Sequence, residues 1–217
     1  MRLTQDMNFS YRKFCAVLAW GVLILQYLIL LRSGEHGGFG ATSLVYLGYF
    51  TILTNILVAL AFSVGFYKEG SAVKAFFNHP SVRAAIALYI GVVAVVYYAA
   101  LASAHNPEGP SAVLNVFLHA ILPLLYIIDW LVHAGNGKMS FKHLPLWVLY
   151  PLAYAIFNIV RGAWTGFYPY PFLNISELGY GGVGLNMLGF TFVYALGGAA
   201  LIGLARFLHR RIRLRAA

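Results

Sequence analysis

Apolar residues run along this chain in six long continuous blocks, about 13–32, 43–66, 81–103, 112–133, 144–163 and 184–207. Each is close to the roughly 20 residues that a helix needs to cross hydrocarbon. Strands of a membrane barrel would alternate apolar and polar positions, and these blocks do not. The pattern predicts an all-α fold, a single domain of six transmembrane helices spanning residues 1–217. The second block departs from a plain apolar run. Thr51, Thr54 and Asn55 stand at i, i+3 and i+4. On a helix these share one face, which should point into protein rather than lipid.

Composition sharpens this picture. Apolar residues make up 61% of the chain and charged residues 10%, with a mean hydropathy of +0.76. A soluble domain carries about 25% charged residues, so the deficit points to an integral membrane protein. The net charge of +9 sits in short tails and loops, where it sets topology rather than binding nucleic acid. A single cysteine, Cys15, excludes an intrachain disulfide and a cysteine-built metal site. The first block is too long for a cleaved signal core and reads as a retained span.

Lysine and arginine give the orientation. The N-terminal tail, up to the start of the first block, holds Arg2, Arg12 and Lys13. Lys68, Lys74 and Arg83 flank the second loop, and Lys138 and Lys142 lie in the fourth. Arg206, Arg210, Arg211, Arg213 and Arg215 close the chain. The first, third and fifth loops hold Glu35, Glu108 and Glu177 and no lysine. Both termini are therefore expected in the cytoplasm. Arg32 and Arg161 sit at the outer ends of spans, where a long side chain can snorkel. The fifth loop contains Tyr168-Pro169-Tyr170-Pro171, an extended aromatic segment suited to the headgroup zone or to a semi-rigid lid.

Counted along straight helices, Thr51 lies roughly 12 Å and His119 roughly 10 Å below the outer surface. Asn115 is one turn above His119. Asn158 and Arg161 rise into the same leaflet, and Asn186 opens the sixth block from outside. Pro123 lacks an N–H and should free the carbonyl of His119 and kink the fourth helix. Pro151 should do the same to the fifth. Asp129, ten residues beyond His119, is off its face and suits a structural role, with Lys138 or Lys142 as partners.

These residue types permit one chemistry in particular. A threonine hydroxyl becomes a nucleophile when a neutral histidine takes its proton. Thr51 and His119 would form such a dyad if their helices are neighbours. Asn115 would orient the imidazole, and Asn55, Asn158 or Arg161 would hold an oxyanion. The reaction class is acyl transfer to threonine followed by hydrolysis. No metal or other cofactor is expected, because no second histidine or carboxylate shares that depth; His36, His79, His105, His143 and His209 read as loop or end residues. The same polar layer also suits a non-enzymatic binder or carrier of an amphiphilic lipid, with Arg161 on an anionic head. A haem-binding or sensory protein is a third reading. Oligomeric state is open.

Tyr49-Phe50-Thr51 followed by an asparagine-bearing helix resembles the threonine helix of the androgen-induced and androgen-dependent TFPI-regulating family. Asn115-x-x-x-His119 followed by a proline resembles that family's histidine helix. Trp164 followed by Tyr168-Pro169 is similar to its segment after the fifth helix. The order of spans agrees over most of the chain, and the basic tail resembles the bacterial branch, which implies a bacterial cytoplasmic membrane. The eukaryotic members are threonine hydrolases of fatty acid esters of hydroxy fatty acids. The resemblance thus implies Thr51 as nucleophile, His119 as base and a membrane lipid ester as substrate.

Overall fold

The computed structural model describes residues 2–134 and 139–216. Lys138 lies outside the described residues, as do the side chains of Arg2, Arg213 and Arg215. The protein is all-helical, with about 85% of residues in helix and no strand among the described residues. Among the described residues five helical segments are long and apolar enough to cross a bilayer: Ser10–Ser33, Pro80–Leu101, Gly109–His133, Phe141–Thr165 and Ile175–Arg211. The chain divides into two compact units, Met1–Gly137 and Lys138–Ala217.

The first unit contains α1 (Arg2–Ser33), α2 (Phe39–Tyr46), α3 (Phe50–Phe62), α4 (Ala72–Asn78), α5 (Pro80–Val96), α6 (Gly109–Val116) and α7 (Leu122–His133). The second apolar block is not the continuous helix expected over 43–66. It breaks at Leu47-Gly48-Tyr49, and α2 and the Phe50–Gly65 segment meet at 83°. Gly48 is a poor helix former, and Tyr49 adopts extended backbone (φ −84°, ψ 128°) as the N-cap of α3. Ser43 and Thr51 therefore do not lie on one helix. The depth counted from Ser43 along a single helix does not apply, and Thr51 instead falls in the first turn of α3.

The fourth apolar block is continuous, but its register changes. Residues Phe117–Ile121 form a π turn that joins α6 to α7, with the Leu122 N–H donating to the Phe117 carbonyl. A second π turn, Tyr97–Leu101, ends α5, with Ala102 N–H on the Tyr97 carbonyl at 2.8 Å. Single π turns often mark positions where a helix accommodates a proline or a functional group.

A core of Ala19, Val22 and Leu23 from α1, Tyr46, Ile52 and Ala59, and Leu114, Leu118 and Leu122 holds this unit together. At one end, Arg12, near the start of the apolar part of α1 (Ser10–Ser33), and Arg83, in the first turn of α5, both reach Asp129 near the end of α7. The start of the apolar part of α1, the start of α5 and the end of α7 thus meet, and α3, packed against both α1 and α5, runs back between them. Asp129 was expected in a structural role with Lys138 or Lys142; among the described residues its partners are two arginines from distant parts of the chain.

The second unit packs α8 (Leu144–Thr165) against α9 (Ile175–Ala216). α8 continues through Pro151 and closes at Gly166, whose φ of 72° favours glycine. α9 turns sharply at Gly179, again at positive φ (65°). Between them the Tyr-Pro-Tyr-Pro segment is folded down onto its own unit. The Tyr168 ring lies so close over Gly162 that a Cβ there would come within 2.2 Å of it. Tyr170 stacks on Phe172 at 5.0 Å, Phe172 packs on Phe190 of α9 at 4.8 Å, and Asn186 Nδ2 donates to the Phe172 carbonyl at 3.0 Å. Many large apolar side chains on both units remain exposed, among them Leu28, Val95, Phe157, Leu188 and Phe192. Faces of this kind suit hydrocarbon rather than water.

Candidate active site

Thr51 and His119 meet inside the first unit. The Thr51 Oγ1 lies 3.4 Å from His119 Nε2. His119 Nδ1 lies 3.0 Å from the Asn115 carbonyl oxygen. A carbonyl can only accept, so Nδ1 carries the proton and the Nε2 lone pair faces Thr51. The threonine hydroxyl donates to it. The distance is a little longer than a tight hydrogen bond of about 2.6–3.2 Å, as is common before substrate closes a site. His119 is buried at 8% exposure, and Thr51 is half-buried beside it.

Asn115 orients the ring, but through its backbone. Its side-chain Nδ2 donates instead to the Tyr97 hydroxyl at 2.6 Å. Tyr97 then lies flat on the imidazole, with ring centroids 3.7 Å apart and planes 18° from parallel. The imidazole is thus fixed by a carbonyl at Nδ1 and by an aromatic face. Tyr97 is the residue that sequence reasoning missed. Its only signal was a Tyr-Tyr pair in an otherwise aliphatic run, which also fits an interfacial aromatic belt. His105 presents an edge to the same Tyr97 ring at 6.3 Å.

Asn55 is fully buried and is committed elsewhere. Its Nδ2 donates to the Thr51 carbonyl at 2.9 Å and to the Leu118 carbonyl at 3.2 Å. The second bond follows from the π turn. In that register the Leu118 carbonyl would receive its bond from residue 123, and Pro123 has no N–H to give. The carbonyl freed by the proline is thus Leu118 rather than the expected His119, and Asn55 supplies the donor. A buried carbonyl without one would cost a few kcal/mol. With both amide hydrogens engaged, Asn55 braces α3 against the histidine helix and is not placed to donate to an oxyanion.

Asn158 and Arg161 belong to the second unit. Asn158 is 1% exposed, and its Nδ2 donates to the Tyr154 carbonyl at 3.0 Å. The Arg161 guanidinium lies over the rings of Phe157 (5.8 Å) and Phe167 (5.1 Å), a favourable cation–π arrangement. Cys15 is a buried free thiol.

The chain was compared with family models, with curated proteins and with solved structures, and none matches.

Proposed function

We propose that the protein is an intramembrane hydrolase of long-chain lipid esters, with Thr51 as nucleophile and His119 as general base. The observation that carries this reading is the Thr51 Oγ1–His119 Nε2 contact of 3.4 Å, with Nδ1 tied to a carbonyl. His119 takes the hydroxyl proton as Oγ1 attacks the ester carbonyl carbon. The tetrahedral adduct collapses, the carbon–oxygen bond to the alcohol breaks, and His119 returns the proton to the leaving alkoxide. Water then enters, gives its proton to His119 and attacks the acyl-threonine. Fatty acid leaves and Thr51 is restored.

Two features support the chemistry. Tyr97 lies over the imidazole, where its π face favours the cation formed during proton transfer. The break before α3 places Thr51 in the first turn of that helix, so the positive end of the helix dipole lies where negative charge develops.

A lipid substrate suits the setting. Acyl chains that stay in hydrocarbon require no transfer from water, whereas a soluble ester must reach a half-buried threonine beside a buried histidine. Hydrolysis by the purified protein should rise with acyl length across the medium range. Each buried methylene adds up to about 0.8 kcal/mol, less for esters already held in micelles. A series of p-nitrophenyl esters in uncharged detergent measures this. A preference for acetate over decanoate contradicts a lipid-shaped site.

The reading includes six crossings with both termini cytoplasmic, in a bacterial cytoplasmic membrane. It counts the bent α2–α3 pair as a span, which agrees with the starts of the apolar segments Ser10–Ser33 and Pro80–Leu101 meeting at one end. Reporter fusions at Lys74 and Lys142 should read cytoplasmic, and those at Glu108 and Tyr170 external. A cytoplasmic Glu108 inverts the orientation and moves the dyad to the other leaflet.

A further inference from the structure

At the end of the first unit away from the dyad, one carboxylate holds two guanidinium groups. Arg12 Nε donates to Asp129 Oδ1 at 2.9 Å, and Arg83 NH2 donates to Asp129 Oδ2 at 2.5 Å and to the Asp129 carbonyl at 3.3 Å. His133 donates its Nδ1–H to that same carbonyl at 2.7 Å. Its Nδ1 therefore cannot also accept from Arg12, whose NH2 stands 3.4 Å away. Among the described residues no other carboxylate pairs with Arg12 or Arg83. The cluster carries two fixed positive charges against one negative, with a histidine beside them.

An uncompensated charge in such a place is costly unless an anion answers it. Each guanidinium has five N–H donors, and these bonds use only part of them. The side chains of Arg12, Arg83 and His133 are 15%, 12% and 22% exposed, so the cluster is open at its rim while Asp129 is closed in at 5%. Position narrows the ligand. Arg12 stands near the start of the apolar segment Ser10–Ser33, Arg83 near the start of Pro80–Leu101, and His133 ends Gly109–His133. The boundary of the hydrocarbon is where lipid phosphates lie. Forked guanidinium donors match the several oxygens of a phosphate better than a single-point anion.

We propose that Arg12 and Arg83, beside His133, form a binding site for a phosphate-bearing anion, occupied in the membrane by the headgroup of an anionic phospholipid. The site is separate from the dyad and does not depend on the proposed hydrolysis. The bound phosphate neutralises the surplus charge and ties the first, third and fourth crossings to one leaflet surface.

Thermal unfolding of the delipidated protein in dodecyl maltoside tests this. Phosphatidylglycerol should raise the melting temperature by roughly 5 °C more than phosphatidylcholine does. Arg12→Gln leaves Asp129 paired with Arg83 and brings the cluster to zero net charge, so the difference between the two lipids should vanish. Arg12→Lys should keep most of it. The double variant Arg210→Gln/Arg211→Gln removes exposed tail charge and should keep all of it. Native mass spectrometry of the wild type should show phosphatidylglycerol retained where phosphatidylcholine is lost. Equal response of the wild type to both lipids overturns the proposal. So does a full response in Arg12→Gln, or its loss in the tail variant. Inorganic phosphate that reproduces the whole shift keeps the anion site and overturns the lipid as its occupant.

Discussion

Thr51→Ala and His119→Ala should each lower long-chain ester hydrolysis on the order of 10⁴-fold or more, because the proposed nucleophile and base would act as a unit. For the same reason the double variant should be scarcely worse than either single one. Neither change should unfold the protein. Thr51→Ala removes one hydroxyl and one methyl group, and the brace between α3 and the histidine helix runs through Asn55 to the Thr51 and Leu118 carbonyls, which alanine retains. His119→Ala empties space beside Tyr97, so a modest fall in melting temperature is expected there. Turnover measured with folded, monodisperse variants decides the matter. Wild-type rates in both would remove the dyad and leave a binder of amphiphiles, which needs the polar layer but no nucleophile beside a base.

Asp129→Ala should have the largest effect on stability. The side chain is 5% exposed and is the shared acceptor of Arg12 and Arg83. Its removal leaves two largely buried guanidinium groups facing each other without a counter-charge. Breaking a buried pair in this way costs about 3–5 kcal/mol. For a chain of this size that is a fall of roughly 10 °C in melting temperature. Arg12→Gln should cost far less, because Asp129 keeps Arg83. Thermal denaturation in one detergent compares the two. Equal losses would mean that the carboxylate is not the hub of this end of the unit.

The helices were legible because continuous apolar runs without alternation leave few alternatives to membrane helices. Thr51 and His119 stood out for a related reason: polar side chains in such runs are expensive unless something answers them. What escaped was geometry set by several helices at once. Gly48 sits inside an apolar run that looks long enough for one span, so the 83° break was hidden by the very hydrophobicity that identified the block. Pro123 signalled a disturbed helix, but not that a π turn would shift the freed carbonyl from His119 to Leu118. Asn115 lies one turn from His119, as the spacing required, yet the backbone rather than the amide meets the ring. Arg12 and Arg83 are 117 and 46 residues from Asp129, and no local pattern couples positions so far apart. Tyr97 looked like any aromatic near a membrane surface until the imidazole was found lying on it.

Covalent labelling with a long-chain alkyl fluorophosphonate tests the nucleophile itself. The wild-type protein, labelled in detergent and digested, should carry the alkylphosphonyl group on the peptide that contains Thr51. His119→Ala should label far more slowly, and Thr51→Ala not at all. Label of equal extent in Thr51→Ala, or label mapped to another residue of the wild type, would contradict a threonine nucleophile at this site.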